Sequence, residues 1–227
     1  RQVARDICVA HLGQPQYLAP LHVDGGAVLL PAQLDVAVGA NEGGAETWGD
    51  PNLFAMGVHI GAPPEEYNPA GQDWGLPPMV PQALKARGHA PIIEMLRAVM
   101  RHAGALRLDH VMALSRLFWV PPEQGAAAGT YMSYPLEDLL GLLALESHRH
   151  RCLAVGEDLG TVPDGFREQL GEAGVLSYCP LYFERRDDGQ FRPPGEWKKQ
   201  ALAVVGTHDL PPLRAWWRGD DIETRAR

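Results

Sequence analysis

The sequence predicts an α/β fold built on parallel strands. Short apolar runs of strand length alternate with segments of helical period, and several acidic residues follow directly on those runs. Such alternation is what βαβ units produce. Five strands are predicted, too few to close an eight-stranded barrel of typically ~250 residues. A doubly wound open sheet is the competing arrangement. It usually carries a Gly-rich phosphate turn after its first strand, and no G-x-G-x-x-G is present.

The elements follow in order. Gln2 to Leu12 reads as a helix and Gly13 to Gly26 as irregular. The apolar run Ala27 to Val38 is stopped by Gly39, and its second half, Leu34 to Val38, reads as a buried strand. From Gly39 to Pro81 the chain is rich in Gly, Pro, Asn and Asp and shows little periodicity. Ordered loops of such length are usually functional. This one carries Trp48, Phe54, Tyr67 and Trp74, so it must fold back onto core or ligand. Pro91 to Met100 has apolar residues at helical spacing, with Gly104 available to end the helix. A strand is predicted over Leu106 to Met112, an amphipathic helix over Leu136 to His150, and a strand over Cys152 to Val155. Pro163 to Glu172 is a short helix opened by proline. Leu181 to Phe183 and Leu202 to Val205 complete the strands.

Composition narrows the functional classes. The 227 residues carry 20 Lys+Arg against 28 Asp+Glu, a formal net charge of −8. That balance argues against nucleic acid or an anionic membrane as partner, since both need clustered cations. The 25 Gly and 20 Pro stay below the range of disordered chains, so they point to long ordered loops. Cys8, Cys152 and Cys179 show no metal-ligand spacing and read as buried thiols of a cytoplasmic protein. No apolar run approaches the ~20 residues of a membrane span. The chain starts at Arg1 and ends in a charged stretch, and a fragment open at both ends is expected.

In parallel α/β folds chemistry gathers at the C-terminal ends of strands. Those ends offer Asp35, Asp109 in Arg107-Leu108-Asp109-His110, Glu157 in Gly156-Glu157-Asp158, and Asp209 in Thr207-His208-Asp209. Any one of them could be a helix cap. Together they suit glycosidic-bond chemistry with retention, which needs one ionised carboxylate as nucleophile and one protonated carboxyl as acid. Arg107 lies two residues before Asp109 and points to the same side of a strand, so it can hold Asp109 charged. Asp109 is then the natural nucleophile. Glu157 has no adjacent cation in sequence and is the better acid/base. His208 and Asp209 are placed to bind sugar hydroxyls.

These blocks resemble those of the 4-alpha-glucanotransferases (amylomaltase, or disproportionating enzyme). So do Gly61-Ala62-Pro63-Pro64-Glu65-Glu66-Tyr67-Asn68-Pro69 and Gly71-Gln72-Asp73-Trp74-Gly75-Leu76-Pro77-Pro78. The resemblance runs from Asp35 to Trp217. It implies a (β/α)8 TIM barrel of the α-amylase clan. Residues 1–227 would be an incomplete catalytic domain, roughly strands three to seven, with a substrate-covering loop insertion at about 39–81. It implies a retaining double displacement with Asp109 as nucleophile, Glu157 as acid/base and Asp209 stabilising the transition state. Arg107, His208 and Asp35 would serve the sugar at the cleavage point, and Tyr67, Gln72 and Trp74 the covering loop. The implied partners are an α-1,4-glucan donor and a glucose or maltodextrin acceptor, with no cofactor and no metal. The segment before Asp35 departs from the family, as do Ala113, where Gly is usual, and Pro212, where Thr is usual. A hydrolase of the same clan would use the same acids, and a truncated chain that only binds glucan is the non-catalytic alternative.

Other residues have structural readings. His110 is expected to face away from the nucleophile, Asp158 to cap the following turn, Trp119 and the Trp216-Trp217 pair to pack, and His148-Arg149-His150-Arg151 to form a solvated helix end.

Overall fold

The computed structural model describes residues 33–65, 68–207 and 210–219. The chain divides into two compact units, with the boundary between Val175 and Leu176.

The first unit is organised on a parallel sheet of three short strands, β1 (Gln33–Val36), β4 (Ala105–Leu108) and β7 (Leu153–Gly156), with β4 in the centre. All four residues of β4 are buried, as befits a strand covered on both faces. Helices α3 (Ala90–Met100) and α4 (Leu136–His150) make the crossovers. Leu96 and Met100 of α3 and Leu139, Leu140 and Leu143 of α4 share one core with Leu106 and Leu108 of β4. Each such buried side chain stabilises the fold by roughly 1.5–3 kcal/mol. Helix α4 opens with Glu137 and Asp138 and closes with His148, Arg149 and His150, charges that complement its dipole.

The closing cluster of α4 is more than a solvated end. Glu146, only 1% exposed, accepts from Arg97 of α3 at 3.0 and 2.9 Å and from Arg149 at 2.8 Å. These charge-assisted bonds fasten the two helices.

The stretch 39–81, expected as a long ordered loop, is partly sheet. Strands β2 (His59–Ala62) and β3 (Gln72–Leu76) form a hairpin that continues through β5 (Arg116–Val120) and β6 (Thr130–Ser133), in the antiparallel order β3-β2-β5-β6. Short helices α1 (Ala45–Gly49) and α2 (Pro81–Ala86) flank the hairpin in sequence. A Cβ at Gly61 would sit 2.0 Å from the Gln72 carbonyl, so only glycine lets the hairpin strands meet there. Trp119 packs against the main core, as expected of it.

One strand and one helix shift from expectation. The strand predicted over Leu106 to Met112 ends at Leu108, because His110 adopts a left-handed conformation (φ 46°) and Val111–Leu114 coil into a 3-10 turn. The helix predicted from Pro163 starts later, as α5 (Phe166–Glu172), behind a left-handed Gly165.

In the second unit, β8 (Ser177–Pro180) pairs in parallel with β9 (Ala201–Val204). Leu181–Phe183, predicted as a strand, forms a 3-10 turn just after β8. Trp216, in α6 (Leu213–Arg218), packs edge-on to Tyr182 at 4.9 Å and Phe191 at 5.7 Å, whereas Trp217 is 81% exposed. Pro212 caps the start of α6. Cys152 and Cys179 are buried, and Cys8 lies outside the described residues. The helix predicted at Gln2 to Leu12 also lies outside them. Among the described residues no helix is long and apolar enough to cross a membrane. The result is a mixed α/β fold with open sheets.

Candidate active site

Parallel pairing aligns the chemically promising residues. Asp35 stands opposite Arg107 in the β1–β4 register, and Arg107 opposite Val155 in the β4–β7 register. Asp109 and Glu157 follow immediately on β4 and β7, so all four converge at one edge of the sheet.

Arg107 is the centre of this edge. It is 5% exposed, and its Nη1 donates to both oxygens of Asp35 at 2.9 Å. Its Nη2 lies 2.9 Å from Asp109 Oδ1. Burial disfavours the guanidinium charge, but hydrogen bonding and charge from Asp35, with the charge of Asp109, outweigh it and raise the arginine further. One fixed cation thus orients two carboxylates on neighbouring strands.

Glu157 is held by backbone. Its Oε1 accepts from the Leu159 N–H at 2.8 Å and its Oε2 from the His110 N–H at 3.0 Å. Its own N–H donates to the Leu108 carbonyl at 2.9 Å, and its carbonyl accepts from Val111 N–H at 3.0 Å. Burial pushes the Glu157 carboxyl up. The two backbone N–H groups pull it down, the charge of Asp109 pushes it up and Arg107 pulls it down, with a net rise above ordinary glutamate. Gly156 makes the junction possible, since a Cβ there would lie 2.9 Å from both γ-carbons of Val111.

Asp158 faces a different task from its neighbour. It is buried and forms an ion pair with Arg167 of α5 at 2.8 Å. His110, expected to face away from the nucleophile, binds Glu157 through its N–H and meets Trp74 edge-on at 5.3 Å. Its only sequence signal is that histidine tolerates the left-handed region better than most residues.

The Trp74 contact brings the β2–β3 hairpin to the acids. Trp74 Nε1 donates to Gln72 Oε1 at 2.7 Å, so the two hairpin residues act as a pair. Asp35, Asp109 and His110 also line a cavity of about 680 Å3 whose other walls include Val38, Leu53 and Met95. Tyr67, His208 and Asp209 lie outside the described residues. Among the described residues no group of three or more His, Cys, Asp or Glu side chains could hold a metal ion.

Two carboxyls in unlike surroundings, one against a guanidinium and one raised by burial, are what glycosidic-bond chemistry requires of a parallel-strand edge. Comparison with known proteins gives the family. A family model described as 4-alpha-glucanotransferase matches residues 24–227. The match begins before Asp35, so the departure from the family is narrower than the sequence suggested. The 4-alpha-glucanotransferase of Haemophilus influenzae is 48% identical over 189 residues, 83% of this chain. That of Mycobacterium tuberculosis is 40% identical over 195 residues, 84% of this chain. The chain spans 27% of the length of each of these relatives. The crystal structure of amylomaltase from Corynebacterium glutamicum superposes with a TM-score of 0.83 at 37% identity, over 89% of this chain and 29% of that one. An amylomaltase structure from Streptococcus agalactiae shares the fold, with a TM-score of 0.73 at 21% identity over 86% of this chain and 41% of that one. The chain belongs to the 4-alpha-glucanotransferase family.

Proposed function

We propose that this chain carries the catalytic edge of a 4-alpha-glucanotransferase, which moves α-1,4-glucan segments to the 4-hydroxyl of a glucose or maltodextrin acceptor. The observation that carries this is the Asp35–Arg107–Asp109 clamp beside a Glu157 carboxyl raised by burial. Residues 1–227 then form an incomplete (β/α)8 barrel, from about its third strand to its seventh, with about 39–81 inserted over the substrate.

Asp109 attacks the anomeric carbon while Glu157 gives its proton to the departing glycosidic oxygen, leaving a glucan chain ester-linked to Asp109. Glu157, now a carboxylate, takes the proton of the acceptor hydroxyl as that oxygen displaces Asp109, and the second inversion restores the original configuration. Asp209 and His208 bind hydroxyls of the reacting sugar and favour its flattened oxocarbenium form. Asp35 holds Arg107 and faces the same sugar. Gln72, Trp74 and Tyr67 lie along the glucan, where flat rings suit the apolar faces of glucose. The formal net charge of −8 suits a neutral carbohydrate better than a polyanion.

Incubation with maltotriose tests the reading. Longer maltodextrins are expected as products, and their loss in Asp109→Asn. Products limited to glucose and maltose point to hydrolysis, and unimpaired transfer by Asp109→Asn overturns the assignment of the nucleophile.

A further inference from the structure

His110 follows Asp109 in the chain, and its N–H reaches the Glu157 carboxyl. The turn 108–111 wraps Glu157 with three hydrogen bonds: Leu108 carbonyl from Glu157 N–H at 2.9 Å, Glu157 carbonyl from Val111 N–H at 3.0 Å, and Glu157 Oε2 from His110 N–H at 3.0 Å. An extended chain could not present the Leu108 carbonyl and the N–H groups of both His110 and Val111 to one residue. The left-handed backbone of His110 (φ 46°) makes the reversal. Non-glycine residues resist that region, so something must hold it there. The His110 ring stands edge-on to Trp74 at 5.3 Å, and Trp74 is fixed in turn by Gln72.

We propose that His110 is a positioning residue: its left-handed backbone, locked by ring contact with Trp74, aims its N–H at Glu157 and so fixes the acid/base relative to Asp109. The proposal rests on the reading of Glu157 as acid/base. It also ties the hairpin that covers the substrate to the proton-transferring group. The ring serves as a neutral wedge here, since burial lowers the His110 pKa, the Asp109 charge opposes that and Arg116 adds to it.

The test compares His110→Val with His110→Asn. β-Branched valine resists the left-handed region and asparagine tolerates it. Carboxyl 13C NMR of the unliganded protein follows the Glu157 titration, which the charges of Asp109 and Arg107 also influence. Losing the His110 N–H removes a bond that favours the carboxylate. The Glu157 titration therefore moves to higher pH in His110→Val and stays near wild type in His110→Asn. In turnover, kcat falls by roughly 10–100-fold in His110→Val, the scale of a misplaced catalytic group, with KM little changed. A merely structural role predicts the opposite shift, toward ordinary glutamate, as water enters a loosened site. That result, or equal titrations in the two variants, overturns the proposal. If His110→Val does not fold, Trp74→Leu replaces it: with the ring contact gone and the histidine backbone released, the Glu157 titration also moves up, and an unmoved one overturns the proposal. The NMR shift reads the positioning even if Glu157 proves not to be the acid, so the two readings fail separately.

Discussion

Gly156→Ala probes the tightest junction of the site. The new Cβ would lie 2.9 Å from Val111 Cγ1 and Cγ2 and 3.0 Å from its Cβ. Comfortable carbon contacts lie at about 3.5–4.0 Å, so the two segments must part by roughly 0.5–1 Å. Val111 is 1% exposed and has little room to yield. Overpacking of this kind costs about 1–3 kcal/mol. Replacing glycine in a strand returns about 0.5–1 kcal/mol of backbone entropy, which leaves a net loss of roughly 0.5–2 kcal/mol. Urea denaturation of wild type, Gly156→Ala, Val111→Ala and the double variant measures it. Trimming Val111 removes both clashing γ-carbons, so the double variant should be more stable than the sum of the single effects, by about 1–2 kcal/mol. The same displacement carries the His110 and Val111 N–H groups away from Glu157, so turnover should drop in Gly156→Ala and recover in part in the double variant. An unchanged denaturation midpoint in Gly156→Ala, or strict additivity, would show that the contact is not the constraint described.

Three further outcomes are expected. Because Glu157 is raised, its protonated form persists above the ordinary glutamate range, and kcat/KM should fall only as pH rises through that raised value; in Asp109→Asn the like charge is gone, so the Glu157 NMR titration should move down. Arg107→Lys cannot reach Asp35 and Asp109 at once with a planar fork, so it should lose ~1–3 kcal/mol of stability in thermal or urea melts and most of its turnover. Glu146 is held below the ordinary glutamate value, first by its hydrogen bond from Arg97. Its contribution is therefore complete above an unfolded value of about 4.3 and lost as pH falls through the lower folded value. The stability advantage of wild type over Glu146→Gln should be constant near neutrality and vanish in acid.

The parallel sheet and its helices were legible because their signals are local. Leu136 to His150 forms one helix over the expected span, and the strand ends that offered Asp35, Asp109 and Glu157 adjoin in space. The antiparallel sheet was not legible. Its strands have four or five residues, and β3, Gln-Asp-Trp-Gly-Leu, has neither alternation nor β-branched residues. Its pairing depends on partners distant in sequence and on Gly61, which looks like any other loop glycine. Strand β8 was displaced onto Leu181–Phe183 because Ser-Tyr-Cys-Pro reads as polar and broken, although all four residues are buried. The backbone role of His110 was not legible for another reason. Strand periodicity assigns it to the far side, and only a backbone reversal at that residue turns its N–H onto Glu157.

The guanidinium of Arg107 makes the two oxygens of Asp109 unequal. Oδ1 is tethered at 2.9 Å, so the carboxylate is no longer a freely spinning rotor. Its other oxygen inherits a fixed heading before any sugar arrives. Under the proposed double displacement, which oxygen forms the new ester is then a property of the resting protein. A glucan chain meets a face already chosen, and the same face must be vacated when the acceptor closes the cycle.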